Sequence, residues 1–242
     1  MRIEAQPAFV LHARAWRETS VIVELLTRDH GRVGVVARGL TSPKRQALRA
    51  ALQPLQSIRV DFLPRGELAR LLQAEAVDVA PVLAGDRLLA AFYVNELALR
   101  LSPRNDAAPA VPALDGRVRA DLGGTAPLAR TLRRFERDAL DAIGLGLPWD
   151  ALDADASVDP ARRYRLDPEH GPLADLRRGG ESVSGQALLD LAADRMPDPA
   201  GLAELRRALR PVISAALGGG TLKSWTLLDD LARVRPRPAQ ED

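Results

Sequence analysis

Basic side chains in the first eighty residues are the groups in this sequence whose number and spacing suggest chemistry. Residues 1–80 contain twelve Arg and Lys against eight Asp and Glu, whereas the rest of the chain contains 22 against 24. Guanidinium and ammonium groups neutralise nucleic-acid phosphates, an attraction that does not depend on base sequence and falls steeply with salt. This part of the chain is therefore predicted to bind nucleic acid. Charge alone equally allows these side chains to be solvated positions on the outside of strands.

Enzymatic and metal-binding chemistry is not indicated. The chain has no cysteine, which excludes disulfides, thiol nucleophiles and cysteine-ligated zinc, and its three histidines are scattered. Residues 218–224 lack the Gly-Lys-Ser/Thr ending of a phosphate-binding loop, and the aspartates of residues 150–159 do not have calcium-loop spacing. We expect no catalytic residues, no cofactor and no bound metal. With no membrane span or secretion signal in the sequence, a cytoplasmic protein is expected.

Aromatic side chains that could stack on bases are scarce in the first eighty residues, which contain Phe9, Trp16 and Phe62. Phe9 and Phe62 lie in strand-like runs, which favours a place in the core. Trp16 lies in the sequence Arg-Ala-Trp-Arg between two such runs and is the candidate for base stacking. Binding is therefore expected to depend mainly on phosphates.

Alternating apolar residues indicate a β-rich N-terminal part. Five strands are predicted, at Ala8–Ala13, Ser20–Thr27, Arg32–Arg38, Leu52–Leu63 and Leu68–Val79. Five is the number of strands in an OB-fold barrel. The third and fourth strands are joined by Gly39–Ala51, which contains Pro43 and three basic residues. We expect this segment to be a mobile loop whose cations follow a nucleic-acid backbone.

Helical periodicity replaces this pattern from Leu83 onward. Helices are predicted over 89–101 with Phe92 on the apolar face, over 125–144 with Thr125 as cap, from Ser184, over 199–217 with a break or kink at Pro211, and from Ser224 with Leu228 and Leu231. Residues 102–112 and 150–160 are predicted to be loops, and residues 163–171 a small hairpin. The fold class is α+β, with an OB-fold domain over 1–80 and a mainly α-helical domain over 81–242.

A series of short motifs spans nearly the whole chain. It includes Phe9-Val10-Leu11-His12-Ala13-Arg14, Arg17-Glu18-Thr19-Ser20, Val35-Val36-Ala37-Arg38-Gly39, Leu52-Gln53-Pro54-Leu55, Tyr93-Val94-Asn95-Glu96-Leu97, Leu132-Arg133-Arg134-Phe135-Glu136 and Leu222-Lys223-Ser224. In order and spacing these motifs resemble the RecO family of DNA repair proteins. The resemblance implies a recombination mediator without hydrolytic activity, associated with the nucleoid.

Several partners follow from this resemblance. It implies binding to single- and double-stranded DNA, annealing of complementary strands, contact with the acidic C-terminal tail of single-strand-binding protein (SSB), and cooperation with RecR in loading RecA. Some family members carry a four-cysteine zinc site in the helical domain, which this cysteine-free chain must lack.

Site residues are carried over position by position. The DNA-binding candidates are Arg14, Arg17, Arg32, Arg38, Lys44, Arg45 and Arg49, of which Arg49 is added from its place in the predicted loop. Arg133, Arg134 and Phe135 are the candidates for the SSB tail, because an acidic peptide with an apolar end needs Arg beside an apolar groove. Without the resemblance, Arg133 and Arg134 would be assigned to the solvated face of their helix.

One rival class would use the same basic barrel. OB-folds also bind RNA, so an RNA- or ribosome-associated binding protein remains the alternative. Annealing of complementary DNA strands would distinguish the two classes. A hydrolase in the helical part has no supporting group of residues.

Overall fold

The computed structural model describes residues 1–106, 110–152, 156–176 and 179–227, without the side chains of residues 110–113. Within these residues a closed β-barrel is followed by a helical region that carries a small three-stranded sheet. The α+β fold with an N-terminal OB-fold barrel, predicted from the sequence, is confirmed.

Five strands close the barrel in the order β1-β2-β3-β5-β4. Their bounds are Ile3–Trp16 for β1, Ser20–Thr27 for β2, Gly31–Ala37 for β3, Ser57–Leu63 for β4 and Ala69–Ala76 for β5. Neighbouring strands are antiparallel except β3 and β5, which are parallel. The fourth strand begins at Ser57 rather than at Leu52 as predicted, and β1 extends beyond its predicted bounds at both ends.

Two of the strands are buried on both faces. In β2, Val23 and Leu25 belong to the barrel core, whereas Leu26 belongs to the core of the helical region. In β1, Ala8 and Val10 belong to the barrel core, whereas Leu11 belongs to the core of the helical region, because successive residues of a strand point to opposite faces. A strand that lies between two cores has apolar residues on both faces instead of alternating apolar and polar residues. This explains the nearly continuous apolar sequence of β2.

The segment between β3 and β4 is folded, which corrects the prediction of a mobile loop. Pro43–Arg45 form a 3₁₀ turn, and Gln46–Ala51 form helix α1. Leu48, Ala51 and Leu52 pack against the barrel core from this helix and its C-cap. These residues are spaced three and four apart, the spacing of one helix face, but the apolar run was divided between a loop and a strand.

The helical region begins after an extended segment. Its helices are α2 at Gly85–Leu101, α3 at Ala110–Gly123, α4 at Leu128–Ala142, α5 at Gly185–Ala192 and α6 at Pro199–Ala216, and a further helix is described over residues 223–227. Helix α3 is absent from the sequence-based prediction, which assigned residues 102–112 to a loop. Leu114, Val118 and Leu122 repeat every four residues there, and Val118 and Leu122 are buried.

A hairpin lies between α4 and α5, as predicted. It consists of β6 at Arg163–Asp167 and β7 at Gly171–Ala174, and the short strand β8 at Val183–Ser184 pairs with the other edge of β6. Ser184 then caps α5, its hydroxyl accepting a hydrogen bond from the backbone N–H of Ala187. The predicted start of a helix at Ser184 is confirmed.

Three details of the predicted helices are wrong. No side chain caps α4, whose N-cap is Pro127, so Thr125 does not have the predicted role. Helix α6 continues through Pro211 to Ala216, so of the predicted break or kink the break is wrong. Phe92 is 45% exposed rather than part of the apolar face of α2. The predicted Leu228 and Leu231 of the last helix lie outside the described residues.

Polar contacts fix the barrel against the helices. Asn95 on α2 donates a hydrogen bond from Nδ2 to the carbonyl oxygen of Leu11 on β1, at 2.9 Å, and is buried there. Arg104, just after α2, pairs through Nη2 with Glu24 of β2 at 2.5 Å. A buried amide that has no hydrogen-bond partner destabilises the fold, because it has lost its hydrogen bonds to water. These contacts therefore favour the observed arrangement of the barrel and the helices.

Candidate nucleic-acid interface

One end of the barrel brings together the turn after β1 and the chain leaving β3. Val21 pairs with Ala37 across β2 and β3, and the backbone N–H of Leu40 donates to the carbonyl oxygen of Thr19 at 2.9 Å. Arg17, in the turn, and Arg38, directly after β3, therefore lie at the same end of the barrel. We call this end, with the α1 segment that follows it, the cationic end.

Trp16 and two arginines form a cluster at the cationic end. The guanidinium carbon of Arg14 lies 5.7 Å from the centroid of the Trp16 ring, and that of Arg17 lies 5.9 Å from it. Both distances are within the range of cation–π attraction. Trp16 itself is 39% exposed. The cluster therefore presents an aromatic ring and two cations to solvent.

Helix α1 and the turn before it add three more cations. Because α1 packs Leu48 and Ala51 against the barrel, its other faces point to solvent, and Lys44, Arg45 and Arg49 are all exposed. The two basic residues of the turn precede the helix and Arg49 lies in its last turn. The sequence identified these residues correctly as exposed cations, although it did not predict the helix that carries them.

The cations of this end have no acidic partners. Among the described residues, no carboxylate forms an ion pair with any of Arg14, Arg17, Arg38, Lys44, Arg45 and Arg49. All of them are exposed. An unpaired exposed cation keeps its full attraction for a phosphate, because no internal ion pair has to be broken first. The cationic end is thus an uncompensated positive surface.

Arg32 does not join this group. It lies near the start of β3, where its Nη1 donates to the carbonyl oxygen of Leu99 on α2 at 2.7 Å. Burial, followed by the positive charge of nearby Arg104, lowers the pKa of Arg32. Its guanidinium is therefore engaged in joining the barrel to α2, on the helical side of the strand.

The predicted peptide site on α4 lies largely inside the protein. Phe135 is 3% exposed and belongs to the helical core. Arg133 is 6% exposed and pairs with Glu136, whose carboxylate also accepts a hydrogen bond from the Tyr93 hydroxyl at 2.5 Å. Burial raises the pKa of Glu136, and the positive charge of Arg133 opposes that shift. These residues form a buried polar network between α2 and α4.

Arg134 is the one of the three that reaches the surface of α4. Its side chain is 23% exposed, and Nε lies 3.4 Å from a carboxylate oxygen of Asp194 and 3.9 Å from one of Asp138. A shallow crevice between α3 and α4 passes beside it, lined also by Leu114 and Val118. The sequence analysis predicted that Arg133, Arg134 and Phe135 share one surface. In the structure Arg133 and Phe135 are buried, and Arg134 is partly exposed.

A cleft beside α6 was missed by the sequence analysis. It has a volume of about 400 Å³ and is lined by Arg207, Arg210, Pro211 and Trp225, among others. The guanidinium carbon of Arg210 lies 4.8 Å from the centroid of the Trp225 ring. The spacing of the two arginines on one helix face was a usable signal, but the position of Trp225 depends on the fold.

The described residues contain neither a metal-binding cluster nor a membrane-spanning helix. In the part of the chain that the structure describes, no three His, Asp or Glu side chains come close enough together to hold a metal ion. Over the same residues, every helix is too short or too polar to span a bilayer.

The fold defines the class of protein, which is an OB-fold barrel protein with an added helical domain. Comparisons with known proteins identify the family within that class. A family model described as "Recombination protein O N terminal" matches residues 1–80. DNA repair protein RecO of Xanthomonas euvesicatoria pv. vesicatoria (strain 85-10) is 54% identical over 244 residues, covering 97% of this chain and 100% of that protein.

Two further relatives agree with these matches. DNA repair protein RecO of Stenotrophomonas maltophilia (strain R551-3) is 53% identical over 239 residues, covering 97% of this chain and 100% of that protein. DNA repair protein RecO of Xanthomonas campestris pv. campestris (strain B100) is 51% identical over 240 residues, covering 96% of this chain and 99% of that protein. The chain belongs to the RecO family, and its role is in DNA repair.

Proposed function

We propose that the protein is a recombination mediator that binds single- and double-stranded DNA without sequence preference and anneals complementary strands. The observation that carries the proposal is the cationic end, where six exposed basic side chains have no carboxylate partner among the described residues. Phosphate neutralisation by such groups supplies most non-specific nucleic-acid affinity. A surface that binds phosphates on two strands reduces their mutual repulsion, which favours annealing.

The proposal assigns different tasks to the two parts of the chain. Residues 1–80 are the nucleic-acid-binding domain, and residues 81–242 are the partner-binding domain. The protein acts without a catalytic step or cofactor, cooperates with RecR, and helps RecA to load onto SSB-coated single strands at the nucleoid in the cytoplasm. The barrel is assigned to DNA because the cationic end belongs to it and because the family's role is in DNA repair.

For the acidic SSB tail we propose a site on α4 centred on Arg134. The cation is partly exposed, and the shallow crevice beside it is lined by the half-buried Leu114, which an apolar terminal residue could contact. Arg133 and Phe135 belong to this proposal as the buried support of the same helix. A peptide carboxylate would compete with Asp138 and Asp194 for the Arg134 guanidinium.

An annealing assay tests the proposed mediator function. Complementary DNA oligonucleotides are coated with SSB, and duplex formation is followed with and without the protein. We expect faster annealing that disappears when the acidic tail of SSB is deleted. Tight binding to structured RNA with no annealing of DNA would instead favour an RNA- or ribosome-associated function for the same barrel.

Arg134→Glu tests the proposed peptide site separately from DNA binding. We expect weaker binding of a synthetic acidic tail peptide because the substitution places a like charge at the proposed contact. Affinity for naked DNA should be retained, since the cationic end is unchanged. Equal loss of peptide and DNA binding would contradict the assignment of two separate sites.

A further inference from the structure

Trp16 has surroundings that phosphate binding alone does not require. Phosphate neutralisation needs cations, yet the cationic end places an indole beside Arg14 and Arg17, with both guanidinium carbons within 6 Å of the ring centroid. The ring is 39% exposed, so part of it remains accessible. The other aromatic side chains of the first eighty residues differ, because Phe62 is 1% exposed and Phe9 is packed against the helical core.

The backbone at this turn is strained. Arg17 has φ at 57°, in the left-handed region that favours glycine. A non-glycine residue there costs on the order of 1 kcal/mol or more, and such positions concentrate at functional sites. The strained residue is one of the two cations beside Trp16, so the turn holds a cation next to the ring at a cost in stability. The hydrogen bond from Leu40 to Thr19 fixes the turn against the chain leaving β3.

We propose that Trp16 stacks on an unpaired base while Arg14 and Arg17 hold the phosphates on either side of that nucleotide. The inference rests on the proposed function and deepens it, because it names single-stranded nucleic acid as the preferred ligand of the cationic end. In a duplex the flat faces of the bases are covered by their neighbours, so Trp16 has no ring to stack on. Phosphate contacts stabilise binding of both single-stranded and duplex nucleic acid, whereas the stacking contact stabilises binding of single strands only.

The test compares three ligands of equal length: a dT oligonucleotide, the same backbone with abasic residues, and a duplex. Trp16→Ala and Trp16→Leu remove the aromatic face, whereas Trp16→Phe keeps one, and Phe92→Ala is the control for loss of an exposed aromatic elsewhere. Stacking of one base on an aromatic side chain corresponds to a change in Kd of about fivefold to about 150-fold. We expect a loss of that size for dT with the Ala and Leu variants.

The remaining arms of the test separate stacking from charge. Duplex and abasic affinities should change little in any Trp16 variant, Trp16→Phe should retain most of the dT affinity, and Phe92→Ala should match the wild type. Tryptophan fluorescence of the wild type should be quenched more strongly by dT than by the abasic strand, because only dT supplies a base that can stack on Trp16. Thermal unfolding verifies that each variant is folded.

Several outcomes would overturn the inference. An equal loss of dT, duplex and abasic binding would mean that Trp16 only positions its neighbouring arginines, and unchanged dT binding would mean that it contacts no base. In both cases the cationic end would still bind DNA, so the proposed function would stand. If the wild-type protein bound none of the three ligands, the proposed function and this inference would both fall.

Discussion

Arginines at the cationic end of the barrel and arginines of the helical region have opposite surroundings. At the cationic end, side chains such as Arg38 and Arg45 are exposed and have no carboxylate partner within the described part of the chain. In the helical region, Arg133 pairs with Glu136, Arg137 with Asp138, and Arg163 with Glu204. Arginine therefore forms an exposed, uncompensated surface at the cationic end and ion pairs in the helical region.

The two groups of arginines differ in how many hydrogen-bond acceptors lie near them. Residues 1–80 have an excess of basic over acidic side chains, whereas the rest of the chain is nearly balanced. In the helical region guanidiniums also bond to backbone carbonyl groups, as Arg87 does to those of Asp121, Leu122 and Ala126 at the end of α3. An arginine indicates nucleic-acid binding only where it has no such acceptor. Substitutions in the two regions should therefore affect different measurements.

The largest effect is expected from Arg133→Met. The substitution keeps an unbranched side chain but leaves the Glu136 carboxylate buried without its cation, while Tyr93 still donates to it. Breaking a buried ion pair from one side costs about 3–5 kcal/mol of unfolding free energy. Urea denaturation should show a loss of that order, and the folded fraction should retain its DNA affinity.

A paired replacement is the control for Arg133→Met. Arg133→Met combined with Glu136→Gln removes both charges and leaves an amide that can still accept from Tyr93, so much of the stability should return. If Arg133→Met left stability unchanged but abolished DNA binding, the contrast between the two regions would be wrong.

Asp115 should give the protein a pH-dependent stability. This carboxyl group on α3 is fully buried, and neither of its oxygens has a hydrogen-bond partner among the described residues. Burial raises the pKa of Asp115 to about 6, and the positive charge of Arg119 opposes that rise. The folded protein therefore binds a proton more tightly than the unfolded chain does, so the ionised carboxyl destabilises the fold as pH rises from about 4 to above about 6.

Asp115→Asn removes this titration. Relative to the variant, the wild type should lose about 2 kcal/mol of unfolding free energy between pH 4 and pH 7. The measurement is urea denaturation of both proteins across that range. Arg119→Met should enlarge the total loss and extend it to higher pH, because Arg119 is the cation that favours the ionised form. A difference between wild type and Asp115→Asn that did not vary with pH would contradict the raised pKa.

Much of the barrel could be predicted because its signals are local. Strand β2 has the predicted bounds of Ser20–Thr27, since an apolar run bounded by turn residues defines a buried strand by itself. Helix α1 was missed because three apolar residues at helical spacing do not distinguish a helix of six residues from a loop followed by a strand. Its stability comes from packing Leu48 and Ala51 against the barrel.

The candidate site could be predicted only in part, because burial depends on tertiary contacts. Arg32 and Arg38 are both basic residues of one strand-like run, yet only the first contacts α2. Arg133 and Arg134 are adjacent, and a rotation of about 100° per residue around the helix places one in the core and the other at the surface. Neither distinction is contained in the residue type or its local sequence.

The smallest effect on stability, and the most direct comparison of the two regions, is expected from Lys44→Ala combined with Arg45→Ala. Both side chains are exposed and unpaired among the described residues, so the unfolding free energy should change by no more than about 0.5 kcal/mol. If both contact phosphates, the slope of log K against log salt should fall in magnitude by about 1.4 for single strands. Fluorescence titrations with a dT oligonucleotide at several salt concentrations measure this slope.

A matched variant in the helical region makes this comparison decisive. Arg162 and Arg165 are also well exposed, but Arg162 pairs with Asp159 at 3.4 Å and Arg165 with Asp167 at 3.6 Å. Replacing both with alanine removes the same number of positive charges and should leave the salt slope unchanged. If this variant lowered the slope as much as Lys44→Ala with Arg45→Ala, net charge rather than the unpaired cationic end would determine DNA binding, and the contrast between the regions would not explain it.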